Sequence, residues 1–265
     1  MSMRAARWAA ALASACLTIG VLTGCHHGSK RAGGAPLTSN EALYERGRAL
    51  IDERKFEEAR KILNEIGLRE AQSPDLDPLV KLAVADSYFY GAGSANISDV
   101  IEAQSRYTQF LTFYPSSRLS GYAQFQIGMC YFKQSPKPHH DQTYTRKALE
   151  EFDKVGQIDP AGRFVGAAGM MKDRCMDKLA MHDYQVGVFY FKRKIWAAAI
   201  SRFKGLLDEF PRFSASDATY YYLGTSLIRS MNTAEGRIYL EKVRRDYPTS
   251  RFASKAASEL KRSGS

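Results

Sequence analysis

Four times along this chain a small residue stands twelve positions before a proline: Ala103 and Pro115, Ala148 and Pro160, Ala199 and Pro211, Gly236 and Pro248. Proline ends a helix, because it lacks an N–H and biases the residue before it away from the α region. Each interval therefore reads as one helix with a fixed stop. Apolar and small residues recur at three- and four-residue spacing through everything after Thr38, and no segment alternates like a strand. The expected fold class is all-α.

The intervals belong to a larger pattern. A small residue is followed three positions later by an apolar or aromatic one, then by an Ala opening a second helix, an apolar residue four beyond it, and the proline. One copy is Gly187, Tyr190, Ala199, Phe203 and Pro211, and the next is Gly224, Leu227, Gly236, Leu240 and Pro248. In both, the two small residues are twelve apart. This is the spacing of the roughly 34-residue tetratricopeptide repeat. Two earlier copies keep the second half as Ala148, Phe152 and Pro160 and as Ala103, Tyr107 and Pro115. Their first halves, Gly128 with Tyr131 and Ala85 with Tyr88, lie further upstream because loops intervene. A first copy has Gly47, Leu50, Ala59 and Leu63 but no closing proline. The antiparallel helices of a repeat approach closely only where both offer Gly or Ala, and larger neighbours fill the space around that contact. One repeat cannot cover its own apolar face, so a tetratricopeptide solenoid of about five helix-turn-helix repeats is expected. The segment from Arg251 to Lys261 should form a short helix sealing its open end.

Ahead of the repeats, Arg4 and Arg7 precede a run from Trp8 to Val21 that is almost free of polar side chains, as in an export signal. The run is too short to span a bilayer, which takes about 20 apolar residues. Leu22-Thr23-Gly24-Cys25 follows and resembles a bacterial lipobox, which makes Cys25 the acylated residue. Several acyl chains on one cysteine hold a membrane essentially permanently, at about 0.8 kcal/mol per buried methylene. Position 26 is His rather than the Asp that retains lipoproteins at the inner membrane, so the expected destination is the outer membrane. The expected organisation is residues 1–24 as signal, 25–37 as lipidated Cys and tether, 38–160 as repeats one to three, and 161–265 as repeats four and five with the closing helix.

The chain has 38 basic and 28 acidic side chains. Loss of Arg4 and Arg7 with the signal leaves a formal charge of about +8. In an exported lipoprotein the counterparts are anionic head groups and acidic partner surfaces, not nucleic acid. Cys130 and Cys175 sit in apolar helical runs and are expected to be buried thiols, although the sequence leaves a bridge open. Nothing resembles H-E-x-x-H, G-x-S-x-G or a phosphate-binding loop, so no enzyme, cofactor or metal is expected. Gly91-Ala92-Gly93 follows a helix rather than a strand and reads as a hinge. His139-His140-Asp141 lacks a partner cluster at ligand spacing and reads as loop.

In such a stack the first helices line the concave wall, where residues at i, i+3, i+7 and i+10 are expected to share the groove face. The stripes are Glu41, Tyr44, Arg48 and Ile51; Leu79, Leu82, Asp86 and Phe89; and Tyr122, Phe125, Met129 and Phe132. A largely apolar patch of this size marks an interaction site. The expected client groove is Tyr44, Arg48, Leu82, Phe89, Tyr122, Phe125, Met129 and Phe132, with Arg48 available to a carboxylate.

Lipobox, tether, five repeats, Asp141-Gln142 before Arg146-Lys147-Ala148, and the run from Phe189 to Arg202 together resemble the BamD family of the β-barrel assembly machinery. The resemblance covers nearly all of the mature chain. It implies that the carboxy-terminal repeats dock on POTRA domains of a BamA-like partner and that the amino-terminal repeats receive carboxy-terminal targeting segments of unfolded outer-membrane proteins. It further implies that Arg193 and Arg202 lie in or near the BamA-facing repeat, while Trp196 packs between helices. Departures are the loops 91–99 and 135–145, and Lys194 where the family often has Gly. A tetratricopeptide adaptor for peptidoglycan synthesis or division enzymes is the alternative.

Cys25→Ser should yield a retained precursor or a soluble form. Fractionation that finds the variant processed and still in the outer membrane would refute the anchor.

Overall fold

The computed structural model describes residues 39–68, 73–93 and 96–264. Cys25, the signal and the tether lie outside the described residues. Residues 38–265 cluster as one compact unit. Among the described residues there are eleven helices and no strand. They pair as α1 (Asn40–Asp52) with α2 (Phe56–Gly67), α3 (Leu76–Gly91) with α4 (Ile97–Phe113), and α5 (Ser120–Gln134) with α6 (Thr143–Ile158). The series continues with α7 (Val165–Lys192) and α8 (Trp196–Glu209), then α9 (Ser216–Arg229) and α10 (Thr233–Asp246), and ends in α11 (Arg251–Arg262). Each helix packs on the next in order. The fold is the expected five-repeat tetratricopeptide solenoid.

The spacing rule has a visible cause. A methyl group added at Gly128 would lie 2.6 Å from the Phe152 ring, at Gly187 2.5 Å from Phe203, and at Gly47 2.6 Å from Leu63. The small residue of each first helix is thus the floor on which the large residue of the second helix rests. Leu63, Tyr107, Phe152, Phe203 and Leu240 are all essentially inaccessible, as are Ala59, Ala103, Ala148 and Ala199. Each of the large apolar ones, Leu63, Phe152, Phe203 and Leu240, contributes about 1.5–3 kcal/mol relative to exposure.

The prolines act through the residue before them. Tyr114, Asp159, Phe210 and Tyr247 close α4, α6, α8 and α10 with φ of −130°, −140°, −125° and −130° and ψ of 55°, 81°, 68° and 54°, outside the α region that a following proline ring disfavours. Where repeat one lacks the proline, Leu68 stays helical at φ −92° and ψ −7°. The turns inside repeats one, four and five use another device. Arg54, Lys194 and Met231 have φ of 63°, 59° and 68°. The next N–H bonds back five residues, from Lys55 to Leu50 O, Ile195 to Tyr190 O and Asn232 to Leu227 O. This is a Schellman ending, at the position where glycine is cheapest.

One element exceeds the repeat. Helix α7 has 28 residues. Its first half packs Ala168, Met171 and Cys175 against Phe152 and Val155 of α6, and its last turns seat Gly187 on Phe203 of α8. Helix α11 closes the stack by burying Phe252, Ala256 and Leu260 against α9 and α10. Cys130 and Cys175 are free and buried, and burial pushes both thiols up to about 12.

Gly187→Ala should cost about 1–3 kcal/mol through overpacking against Phe203. Met231→Gly should gain about 1 kcal/mol, because its exposed side chain gives up nothing and the left-handed strain disappears. Denaturant melts of the two variants check both signs.

Candidate functional site

Repeats one to three converge on one carboxylate. Asp86 of α3 is 4% exposed. It accepts hydrogen bonds from Tyr107 of α4 at 2.6 Å and Tyr122 of α5 at 2.5 Å, and pairs with Arg48 of α1 at 3.3 Å. Gln126 extends the network, donating to the Tyr122 oxygen at 2.8 Å and the Tyr90 oxygen at 3.2 Å. Burial raises the Asp86 carboxyl above its ordinary value, although both tyrosines and Arg48 pull the other way. The Tyr107 and Tyr122 phenols rise well above theirs, through burial first and then the adjacent Asp86. Both stay neutral donors at any physiological pH.

The expected stripes are only partly on the groove. Leu82 and Phe89 are buried at 5% and 7% exposure, within the core formed with Tyr107, Phe110 and Ile127, and Ile51 is buried beside Leu63. The assignment of Leu82 and Phe89 to an open groove is corrected, and helix geometry supplies the reason. At 3.6 residues per turn, i+3 and i+10 sit about 60° and 80° to one side of i, whereas i+7 and i+11 fall within about 20° of it. One face of each first helix therefore runs through Arg48 on α1, Asp86 and Tyr90 on α3, and Tyr122, Met129 and Lys133 on α5. Tyr44 and Arg48 are half-buried on that of α1. Phe125 and Phe132 turn toward α6 and α7, packed against the cluster around Phe152 and Met171.

Part of the aromatic surface is also covered from within. Phe164, just before α7, lies 5.2 Å from the Tyr122 ring and stacks on Phe125 at 5.5 Å. The hydrogen-bonded Asp86 cluster thus has aromatic rings beside it. Sequence reasoning missed Tyr107, Gln126 and Phe164. A tyrosine at the buried position where other repeats carry Phe or Leu was the available signal, since a buried phenol needs a partner.

At the other end, Arg202 of α8 is exposed and makes no ion pair among the described residues. Arg193, at the end of α7, stacks over Phe189 at 4.4 Å. Trp196 meets Phe191 edge-on at 5.5 Å, between helices as expected. His139 and His140 are exposed loop residues. Among the described residues no cluster of His, Cys, Asp or Glu could hold a metal. None of the described helices is long and apolar enough to cross a membrane.

The sequence model of the YfiO family, described as an outer membrane lipoprotein, matches residues 37–226. The chain belongs to the YfiO (BamD) family. A tetratricopeptide-repeat model matches residues 218–250. The outer membrane protein assembly factor BamD of Rickettsia prowazekii is 27% identical over 248 residues, covering 92% of this chain and 94% of its own. Its counterpart in Haemophilus influenzae is 25% identical, covering 81% of this chain and 80% of its own. Among solved structures, a tetratricopeptide repeat protein from Parabacteroides merdae is 15% identical with a TM-score of 0.35, covering 84% and 88% of the two chains. Members of the BamD family are non-enzymatic assembly factors with this fold.

Because the folded chain holds the Asp86 proton more tightly than the unfolded one, this group favours folding below about pH 3.9, and the benefit is lost as pH rises through the elevated folded value. Tyr107→Phe removes a donor to the charged form and should cost about 1–3 kcal/mol at pH 7. The cost should shrink toward pH 4, and melts that show the same loss at both pH values would contradict the charge argument.

Proposed function

We propose that this chain is the tetratricopeptide lipoprotein of a β-barrel assembly machinery, anchored through Cys25 on the periplasmic face of the outer membrane. The observation that carries the reading is the family match through residues 37–226, with an assembly-factor relative aligned along 92% of the chain. Repeats one to three, residues 38–160, receive unfolded outer-membrane protein segments. Repeats four and five, residues 161–265, dock on POTRA domains of a BamA-like partner.

The division of labour draws support from the side chains. Barrel strands alternate apolar and polar residues, and an extended segment of that kind suits a groove with a polar centre and aromatic shoulders. Tyr44, Tyr90, Tyr122 and Met129 supply contacts that adapt to many sequences. In the other half, Arg202 is an exposed cation with no ion pair among the described residues, a residue type enriched at interface hot spots. Arg193, held over Phe189, presents a second cation with reduced freedom to lose on binding.

Arg202→Leu should weaken association with the BamA-like partner by about 2 kcal/mol and leave helicity and melting unchanged. Co-purification from detergent-solubilised envelope measures this. Undiminished recovery of a POTRA-bearing barrel removes Arg202 from the docking surface, and recovery of peptidoglycan enzymes in its place overturns the assembly reading.

A further inference from the structure

The chain enters the fold at Ser39, fourteen residues after Cys25. The tight turn at Arg54 joins α1 to α2, so the start of α1 and the end of α2 lie on one edge of the stack. The turns between the following repeats come out on the same edge. Tyr114, closing α4, bonds through its hydroxyl to Asp77 in the first turn of α3. The Asp159 side chain, closing α6, lies over Gly121 in the first turn of α5, and Phe164 before α7 meets Tyr122 at 5.2 Å.

Two of these turns carry the same pair of side chains. Phe113-Tyr114-Pro115-Ser116-Ser117-Arg118 and Ile158-Asp159-Pro160-Ala161-Gly162-Arg163 each set an apolar residue two before the proline and an arginine three after it. Phe113 is 59% and Ile158 41% exposed, and Leu68 at the end of α2 is 86% exposed. Arg118 and Arg163 are exposed and form no ion pair among the described residues. The repeat itself does not demand an apolar residue there, since Glu209 and Asp246 hold the equivalent position in repeats four and five. Those turns are also displaced. After α8, Arg212 pairs with Asp173 at 2.6 Å and the Ser214 N–H donates to Asp177 at 2.8 Å, beside Lys178, which bonds Ser135 at the far end of α5. The length of α7 thus brings the turn after α8 level with the opposite edge of repeat three.

The acids of the first edge have structural uses. Glu41, Asp75 and Asp77 stand at helix starts, where they offset unpaired N–H groups, and the Asp159 carboxylate lies over Gly162. Ile97 and Tyr144 are exposed at the opposite edge, a helix length of roughly 20–25 Å from where the tether enters. An apolar tip flanked by a cation suits the boundary between lipid head groups and acyl chains, the tip entering the chains and the guanidinium meeting phosphate. An anchor fourteen residues away holds that edge at high effective concentration beside the bilayer.

We propose that the turns of repeats one to three form a membrane-contact edge, with Leu68, Phe113 and Ile158 seated in a phospholipid surface and Arg118 and Arg163 on its phosphates. The inference rests on the Cys25 anchor and adds which edge of the fold faces the lipid.

The test uses the full-length lipidated protein in vesicles of three parts phosphatidylcholine to one part phosphatidylglycerol. Nitroxide labels are placed singly through Ser116→Cys and Ala161→Cys in the two turns, His139→Cys on the opposite edge and Thr249→Cys in the last turn, all at exposed positions. Cys130 and Cys175 are buried and stay unlabelled. The labels at 116 and 161 should be relaxed by oxygen and protected from a water-soluble nickel chelate, while those at 139 and 249 stay aqueous. Phe113→Ser with Ile158→Ser should return the first two labels to water without lowering the melting temperature. Arg118→Gln and Arg163→Gln should each shift the ratio of immersed to aqueous label toward water by about five-fold. Protein that does not float with the vesicles removes the anchor and the edge with it. Floating protein with all four labels aqueous overturns the edge and leaves the anchor standing. Immersion at 139 or 249 instead, or immersion that persists in the folded Phe113→Ser, Ile158→Ser variant, overturns the edge as well. Protection of the labels at 116 and 161 from oxygen and nickel alike means a protein neighbour and overturns lipid as the occupant.

Discussion

Everything in this solenoid depends on how closely the two helices of a repeat can approach. Gly47, Gly128 and Gly187 each leave room for one large side chain from the opposite helix, and a single methyl group would fill that room. The close approach sets where the next repeat can begin. It also decides which residues are left to face outward, since Leu63, Tyr107, Phe152, Phe203 and Leu240 are spent on the contact. Stacking then converts five such pairs into one continuous core, which α11 closes.

On that frame the two halves are joined differently. Repeats one to three share the Asp86 carboxylate, reached by side chains from α1, α4 and α5. A buried carboxylate contributes little net stability, but it accepts only the arrangement that satisfies its donors, so it holds three repeats in a single register. Repeats four and five are joined by rings. Tyr222 meets Phe191 at 4.7 Å, Phe203 at 6.0 Å and Phe252 at 5.8 Å. The long helix α7 belongs to both halves, packing on α6 with one end and on α8 with the other.

Much of this was legible from spacing alone. Helix stops, repeat number, close glycine contacts and the end-sealing helix all follow from periodicity and from the chemistry of Gly, Ala and Pro. The groove was legible only in part. Including i+3 and i+10 carries a stripe off the face, which is why Leu82 and Phe89 were read as groove residues and lie in the core. The stripe also treats each helix alone, so it cannot show that Arg48 is neutralised by Asp86 or that Phe164, from a loop 42 positions beyond Tyr122, folds back over that ring. Long-range polar pairing leaves no period in a sequence. Lys194 is the opposite case: its departure from the family's glycine was visible, and the structure supplies the meaning, a left-handed turn position.

The central claim is that the concave wall of repeats one to three is the surface that holds client segments. Photocrosslinking measures it directly, with the reactive group placed at Tyr90 or Met129 on the groove, at Ile101 on the exposed side of α4, and at Ile238 on α10. The account predicts that a peptide ending in a barrel's last strand labels the first two positions and leaves the other two unlabelled. Labelling concentrated at Ile101 or Ile238 would contradict it.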